Sequence, residues 1–322
     1  MTYNPGLVGV GNTQDAQLRN ILLDNMIAFY NWGFLDKGGF YNISIPSSGM
    51  YGGDKHKLRP TSDPNYSANQ VWQSHRENWV WETGISKTTQ PIPISGIYLN
   101  NVFKPYVFNS GLNRYVGSGY KIDYPNGRVI FDTPIPATST VSLNYSYKWI
   151  KVDQAEGIPF FRQIQFSSFE LDNNFVTSSG DWVQIGQTRL QLPVVLIEAV
   201  PKRTYEPYQL GGGQWANSDF VFYVMADRDA IVSDILDTIT FQNDRIIKMF
   251  DTNSISRSGA YPIDIAGNLL NKKYTYPYLL ENYPSADCRI HNATISDITE
   301  ISYSFYVGTA RCSTQVNLTS VT

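Results

Sequence analysis

At 322 residues the chain has room for two domains with their own cores. Charged residues make up only 16% and aromatics 14%, with 22 Tyr, a surface rich in hydroxyls and rings that suits contact with other proteins, although β-rich domains also use many aromatics. A net charge of -3 without a run of Lys and Arg excludes a nucleic-acid-binding surface of the usual electrostatic kind, and Ile21 to Leu35, the most apolar early stretch, is interrupted by Asp24, Asn25 and Asn31 and is too short to span a bilayer.

The first element is a helix. In "TQDAQLRNILLDNMIAFYNWGF", Thr13 is placed to cap the start and Asp15 lies in the first turn, facing the positive end of the helix dipole. Leu18, Leu22, Met26 and Phe29 recur at helical spacing and Ile21 widens the stripe, which predicts a core-packing helix ended by Gly33, Gly38 and Gly39. The N-terminus has neither a basic region nor a long apolar core, so no signal peptide is expected.

From Phe40 to Asp153 the pattern changes to short strands and turns. Residues 44–70 cluster Gly, Pro, Ser and Asn and predict a long exposed loop, including the basic "KHKLRP" from Lys55 to Pro60. Strands are expected in "NWVWE", "GIYLNNVF", "YKIDYPNGRVIFD" and "TVSLNYSYKWIKV". Asn126-Gly127 between two strand-like runs signals a hairpin. Val141, Leu143, Tyr145, Tyr147 and Trp149 alternate with Ser142, Asn144, Ser146 and Lys148, which predicts a strand with one apolar face. The region reads as an antiparallel β-sandwich or barrel.

After "DQAEGIPF" a second domain is expected. It would contain "FSSFEL", the doubly buried strand "LPVVLIEAV", a Pro/Gly loop, the strand "DFVFYVMAD", and a long helix from Arg228 to Phe250. Ile231, Ile235 and Ile239 form its i, i+4 row, joined by Val232, Leu236, Ile246 and Phe250, with Asp227 or Asp229 as cap. Two strands in "ADCRIHNATISDIT" and "EISYSFYVGTAR" complete an antiparallel sheet with one helix across a face. The expected fold is therefore α+β: a helical segment over 1–39, a β-rich domain over 40–153, and an α+β domain over 154–322.

Catalytic chemistry finds little support in the residues. Gly211, Gly212 and Gly213 invite a phosphate-loop reading, but no Lys-Ser/Thr pair follows them and the next element is a strand, so they read as a connector between strands. His56, His75 and His291 lie in unrelated segments without metal-ligand spacing. Cys288 and Cys312 make no disulfide framework, and reduced thiols are expected. Asp123, Asp132 and Glu170 are the carboxylates that a glycan-degrading enzyme would have to pair. Trp72, Trp79 and Trp81 offer rings for a carbohydrate-binding module, though Trp79 and Trp81 also suit a strand face packed in a core. Trp215, a large ring on what reads as an exposed loop, has the character of an interface anchor. No catalytic residue, metal or cofactor is expected.

Two blocks resemble virion structural proteins of tailed bacteriophages. "YKIDYPNGRVIFDTPIPATSTVSLNYSYKWIKV" is similar to a β-domain of neck, tail and baseplate components. The run from "LPVVLIEAV" through "YQLGGGQWANSDFVFYVMADRDAIVSDILDTI" to "RIIKMFDTN" resembles the strand–loop–strand–helix core of tail-terminator and related head–tail joining proteins. The resemblance implies a protein without substrate or cofactor, made in the bacterial cytoplasm and built into the virion. It would assemble as a sixfold ring against neighbouring neck or tail proteins, without binding nucleic acid or membrane. The loop residues Leu210, Gly211, Gly212, Gly213 and Trp215, with the helix after Arg228, would face other subunits. The chain is longer than tail terminators commonly are, so its β-domain would be an elaboration. A carbohydrate-binding module of a tail fibre or baseplate is the alternative.

Overall fold

The computed structural model describes residues 17–45, 54–157, 176–178, 182–185, 188–209, 212–259, 261–270 and 275–318. The chain is mostly β, with a few helices. It divides into two compact units: Asn31–Lys151 with Ala260–Tyr278, and Met1–Tyr30 with Val152–Gly259 and Leu279–Thr322. Residues 260–278, expected in the second domain, belong instead with the first, and the helix α1 (Leu18–Asp36) is divided between the units after Tyr30.

The first unit holds β1 (Phe40–Ile43), β2 (Lys57–Thr61), β3 (Val71–Gln73), β4 (Gly96–Leu99), β5 (Val102–Asn109), β6 (Arg114–Gly117), β7 (Tyr120–Asp123), β8 (Arg128–Phe131), β9 (Val141–Ser142) and β10 (Tyr145–Lys148). It is a barrel rather than a sandwich. Strands run β2-β3-β8-β7-β6-β5-β4-β9, and β9 closes the circle because Ser142 stands opposite both Lys57 and Tyr98. The interior is filled with side chains, among them Trp72, Tyr106, Tyr120, Ile122, Val129 and Val141, as a barrel of eight strands requires.

Local chemistry sets the turns. Asn100 and Asn101, with φ of 48° and 64°, join β4 to β5 in a two-residue turn that Asn tolerates well. The "PNG" turn joins β7 to β8 at Asp123↔Arg128. There Gly127 has φ 61°, and a Cβ would lie 2.3 Å from the Arg76 carbonyl oxygen, so no other residue fits.

Three strand expectations fail in this unit. β2 runs through the stretch read as a solvated loop: Leu58 is buried between exposed Lys57 and Arg59, one apolar residue being enough to seat a short strand. Residues 46–53 of that stretch lie outside the described residues. "NWVWE" makes only a single bridge, Trp79↔Tyr147. "TVSLNYSYKWIKV" is split between β9 in the barrel and β10, which pairs with β1. Every residue of β10 is buried, because Lys148 pairs with Glu82 at 2.5 Å and the Ser146 hydroxyl donates to Asn42 at 2.6 Å. Both faces are thus used, and the polar one is satisfied.

The second unit is a six-stranded antiparallel sheet ordered β11-β15-β16-β19-β18-β17. Its strands are β11 (Lys151–Gln154), β15 (Val194–Gln209), β16 (Gly212–Ala226), β17 (Ile246–Phe250), β18 (Pro284–Ser302) and β19 (Phe305–Leu318). A separate three-stranded sheet joins β12 (Val176–Ser178), β13 (Trp182–Ile185) and β14 (Thr188–Gln191). "FSSFEL" lies outside the described residues. Val194, Val195, Leu196 and Ile197 are fully buried, as continuous apolar sequence predicts.

The expected Pro/Gly loop after them is the second half of a long hairpin. After an irregularity between Ala199 and Arg203, β15 pairs on to Gln209↔Gly212. Pro201 falls within that irregularity, and Pro207 lies on a strand whose outer neighbour β11 is only four residues long.

The helix after Arg228 is shorter than expected. α2 (Asp229–Thr240) buries Ile231, Val232, Ile235, Leu236 and Ile239 against β16, β18 and β19. The cap position is Arg228, without a side-chain cap; Asp227 and Asp229 do not fill it. The turn at Asp244, with φ 61°, ends the helical stretch, and Ile246–Phe250 becomes β17, with Ile247 and Met249 buried and Ile246 and Lys248 exposed. Ile246 and Phe250 fall on the helical face of the isoleucine row by coincidence of spacing.

Nor is the sheet covered by one helix alone. Leu22, Met26 and Tyr30 of α1 are buried, the Asn25 amide donates to the Phe250 carbonyl at 3.0 Å, and the Phe250 N–H donates back at 2.9 Å. α1 runs on through Gly33 to Asp36 and stops at Gly38, where φ is 92°. Thr13 and Asp15 lie outside the described residues.

Candidate interface surfaces

The residues that could carry catalysis are dispersed or already engaged. Asp123 is buried at the β7–β8 turn, where its carboxylate accepts from Arg128 Nε at 2.6 Å and from Asn126 Nδ2 at 2.9 Å. Arg128 also donates to Asp63 at 2.6 Å. The Asn65 N–H, followed by Arg128, holds the Asp63 carboxyl below the usual carboxylate range. Asp132 is exposed and makes no pair with Asp123 among the described hydrogen bonds; Glu170 lies outside the described residues. Asp123 is therefore a staple of its own hairpin.

The histidines stay apart in role. His75 Nδ1 lies 3.1 Å from the Tyr145 hydroxyl, and His291 lies in β18. Among the described residues no three His, Cys, Asp or Glu side chains gather as a metal-binding group. Cys288 and Cys312 are free and buried, in line with the reduced thiols expected. Burial pushes the Cys288 thiol up to about 12 and raises Cys312 as well, so neither is poised as a nucleophile.

The sugar-stacking platform is not assembled. Trp72 and Trp79 are buried in the barrel core and Trp81 packs against it, with Lys148 Nζ 5.8 Å from its ring centre. No helix of the described residues is long and apolar enough to cross a membrane.

Of the loop expected to face other subunits, Leu210 and Gly211 lie outside the described residues. Gly212 and Gly213 open β16, and Gly213 has φ 81°. Trp215 is not on a loop: it stands in β16 opposite Glu206 of β15 and Asn317 of β19, half-buried. Gly212 and Gly213 thus stand at a hairpin end between β15 and β16, and among the described residues the element that follows them is a strand, not a helix whose N-terminus could meet a phosphate.

The more informative surface was not singled out from sequence. β5 reads V-F-K-P-Y-V-F-N. Tyr106 points into the barrel core, which sends Phe103, Pro105 and Val107 outward under the two-residue period. Phe103 is 45% and Val107 54% exposed. Register extends this face: Tyr98 of β4 stands opposite Phe103 with ring centres 5.1 Å apart, and Val116 and Arg114 of β6 stand opposite Val107 and Asn109. An antiparallel barrel strand ordinarily alternates apolar-in with polar-out; β5 is apolar on both sides. At the far end of the hairpin, Phe108 and Leu112 are also exposed. The signal was present in the sequence as eight residues with one charge, a pattern that also fits a doubly covered strand.

In the sheet unit, exposed apolar residues gather along the second half of β18 and its turn: Ile295, Ile298 and Tyr303, the last 86% exposed.

Comparison with known proteins finds no matching family model, and no curated protein or solved structure matches the chain significantly.

Proposed function

We propose that this chain is a non-enzymatic structural subunit that acts by binding copies of itself and neighbouring proteins, and that its station is the neck or tail end of a tailed-bacteriophage virion. The observation that carries self-association is β5: its inward side fills the barrel while Phe103 and Val107 on its outward side stay exposed. Leaving such side chains in water forfeits burial worth about 25 cal/mol per Å² of apolar area, and a partner surface recovers it. Apolar clusters that a monomer leaves open mark interaction sites. The low charge of the chain works in the same direction, since fewer ions lose hydration when a contact forms.

The virion station, and assembly as a sixfold ring, come from the resemblance of the β15–β16–α2 stretch and the β7–β10 stretch to head–tail joining and baseplate components. Supporting a structural rather than catalytic reading, Asp123 is spent on Arg128 and both thiols are buried. A tag inserted on this chain in assembled particles, imaged by electron microscopy, tests the station. Density at the head–tail junction or tail end with rotational symmetry is the expected result; density at fibre tips, or no density on particles, contradicts it.

A further inference from the structure

Two exposed surfaces of this chain are complementary in charge and both carry apolar side chains. The first is the outward barrel face of β4–β7, with Tyr98, Phe103 and Val107. Residues 96–122 contain no Asp or Glu, and the cations on this face are Arg114 and Lys121, which is exposed on β7. The second is the outward stripe of α2. Residues 229–240 contain no Lys or Arg, and Asp234, Asp237 and Phe241 follow one another at i, i+3 and i+7, on one side of the helix. Both aspartates are exposed and Phe241 is 81% exposed, the opposite side of α2 being the one that packs on the sheet. Of the nearest bases, Arg228 lies 3.7 Å from Asp227 and Arg245 donates to Gln242 at 2.7 Å, so neither neutralises the stripe by a bond to it.

Resting on the self-association reading above, we propose that the β4–β7 face of one copy docks on the α2 stripe of a second copy, with Phe241 against the apolar patch and Asp234 and Asp237 facing Arg114 and Lys121. The occupant is a second copy because each chain carries both halves of the match. The two halves differ, so the contact is heterologous and repeats from copy to copy, closing into a ring or continuing as a filament. Opposite charges around an apolar centre set orientation and register more than affinity, and contact between such rim charges weakens as salt rises.

The test uses the full chain in sedimentation velocity. One variant carries Arg114→Glu and Lys121→Glu; the other carries Asp234→Lys and Asp237→Lys. Each alone should associate at least about tenfold more weakly than the unmodified chain. Mixed in equal amounts, they should associate again as an alternating assembly, because the native face of one meets the native stripe of the other and the two reversed patches are themselves complementary in charge. Val107→Asp serves as a second barrel variant should reversal at half-buried Arg114 disturb folding, with thermal melts confirming that each variant is folded. Unaltered assembly of either folded variant, or a mixture that stays monomeric, overturns this contact while leaving self-association standing. An unmodified chain that is monomeric throughout overturns both.

Discussion

Gly308 of β19 lies directly under Val232 and Leu236 of α2: a Cβ at Gly308 would come within 2.6 Å of a methyl carbon of each. The close approach of helix to sheet depends on that missing side chain. Gly308→Val should therefore lift α2 and cost about 1–3 kcal/mol through overpacking, read as a lower midpoint in denaturant. An unchanged midpoint would mean that α2 does not seat on β19 as described.

Asn25 ties α1 to the end of β17 with two hydrogen bonds to Phe250 and is fully buried. Asn25→Leu keeps the number of side-chain heavy atoms and removes both partners from a buried backbone N–H and C=O. Each such group costs about 1–3 kcal/mol when left unpaired. Loss of stability of at least about 2 kcal/mol is expected by chemical denaturation, with earlier hydrogen exchange at the Phe250 amide.

Asp123 and Arg128 hold the "PNG" hairpin, with Asp63 on the other side of the guanidinium. Asp123→Asn should destabilise the barrel by about 2 kcal/mol, the charge-assisted bond being lost while Arg128 keeps Asp63 and partial access to water. The depressed Asp63 carboxyl adds a pH signature: its contribution is present above the unfolded value of about 3.9 and fades as pH falls through the lower folded value. The variant and the parent should show no polysaccharide hydrolysis. Turnover that Asp123→Asn abolishes would favour an enzyme.

High pH should unfold the protein cooperatively. Burial raises the phenols of Tyr30, Tyr106, Tyr120, Tyr124 and Tyr145 and pushes the Cys288 thiol up to about 12. The unfolded chain then releases protons first, at about 8.5 for Cys and about 10 for Tyr, so stability falls as pH rises from there toward the folded values. Absorbance titration should show the buried phenols ionising only together with loss of structure, and both thiols should resist a thiol reagent until denaturant is added. Rapid thiol labelling of the native chain would contradict the packing around β18 and β19.

Local chemistry made some of this legible from sequence. Asn126-Gly127 specified its hairpin, and the apolar run at Val194 to Ile197 specified a strand buried on both sides. The helix over 229–240 was readable from its isoleucine row, but its end was not: Ile246 and Phe250 fall at helical spacing from that row while pairing as a strand. Pro201, Pro207 and the glycines marked a loop by composition, where long-range pairing with β16 makes a strand. Nothing local in "KHKLRP" announces β2, because a single buried Leu58 and the neighbours β3 and β9 create it. The candidate surface was missed for a related reason. Periodicity shows that β5 is apolar on both sides, and only the register of its neighbours shows that one side stays uncovered. Trp215, singled out instead, sits half-buried within β16.

Self-association is the claim on which the functional account stands, and mass against concentration tests it most directly. Sedimentation of the full chain at low salt should show species at whole multiples of 36.4 kDa that grow with concentration and recede as salt is raised. A single species of 36.4 kDa across the whole concentration range would contradict it.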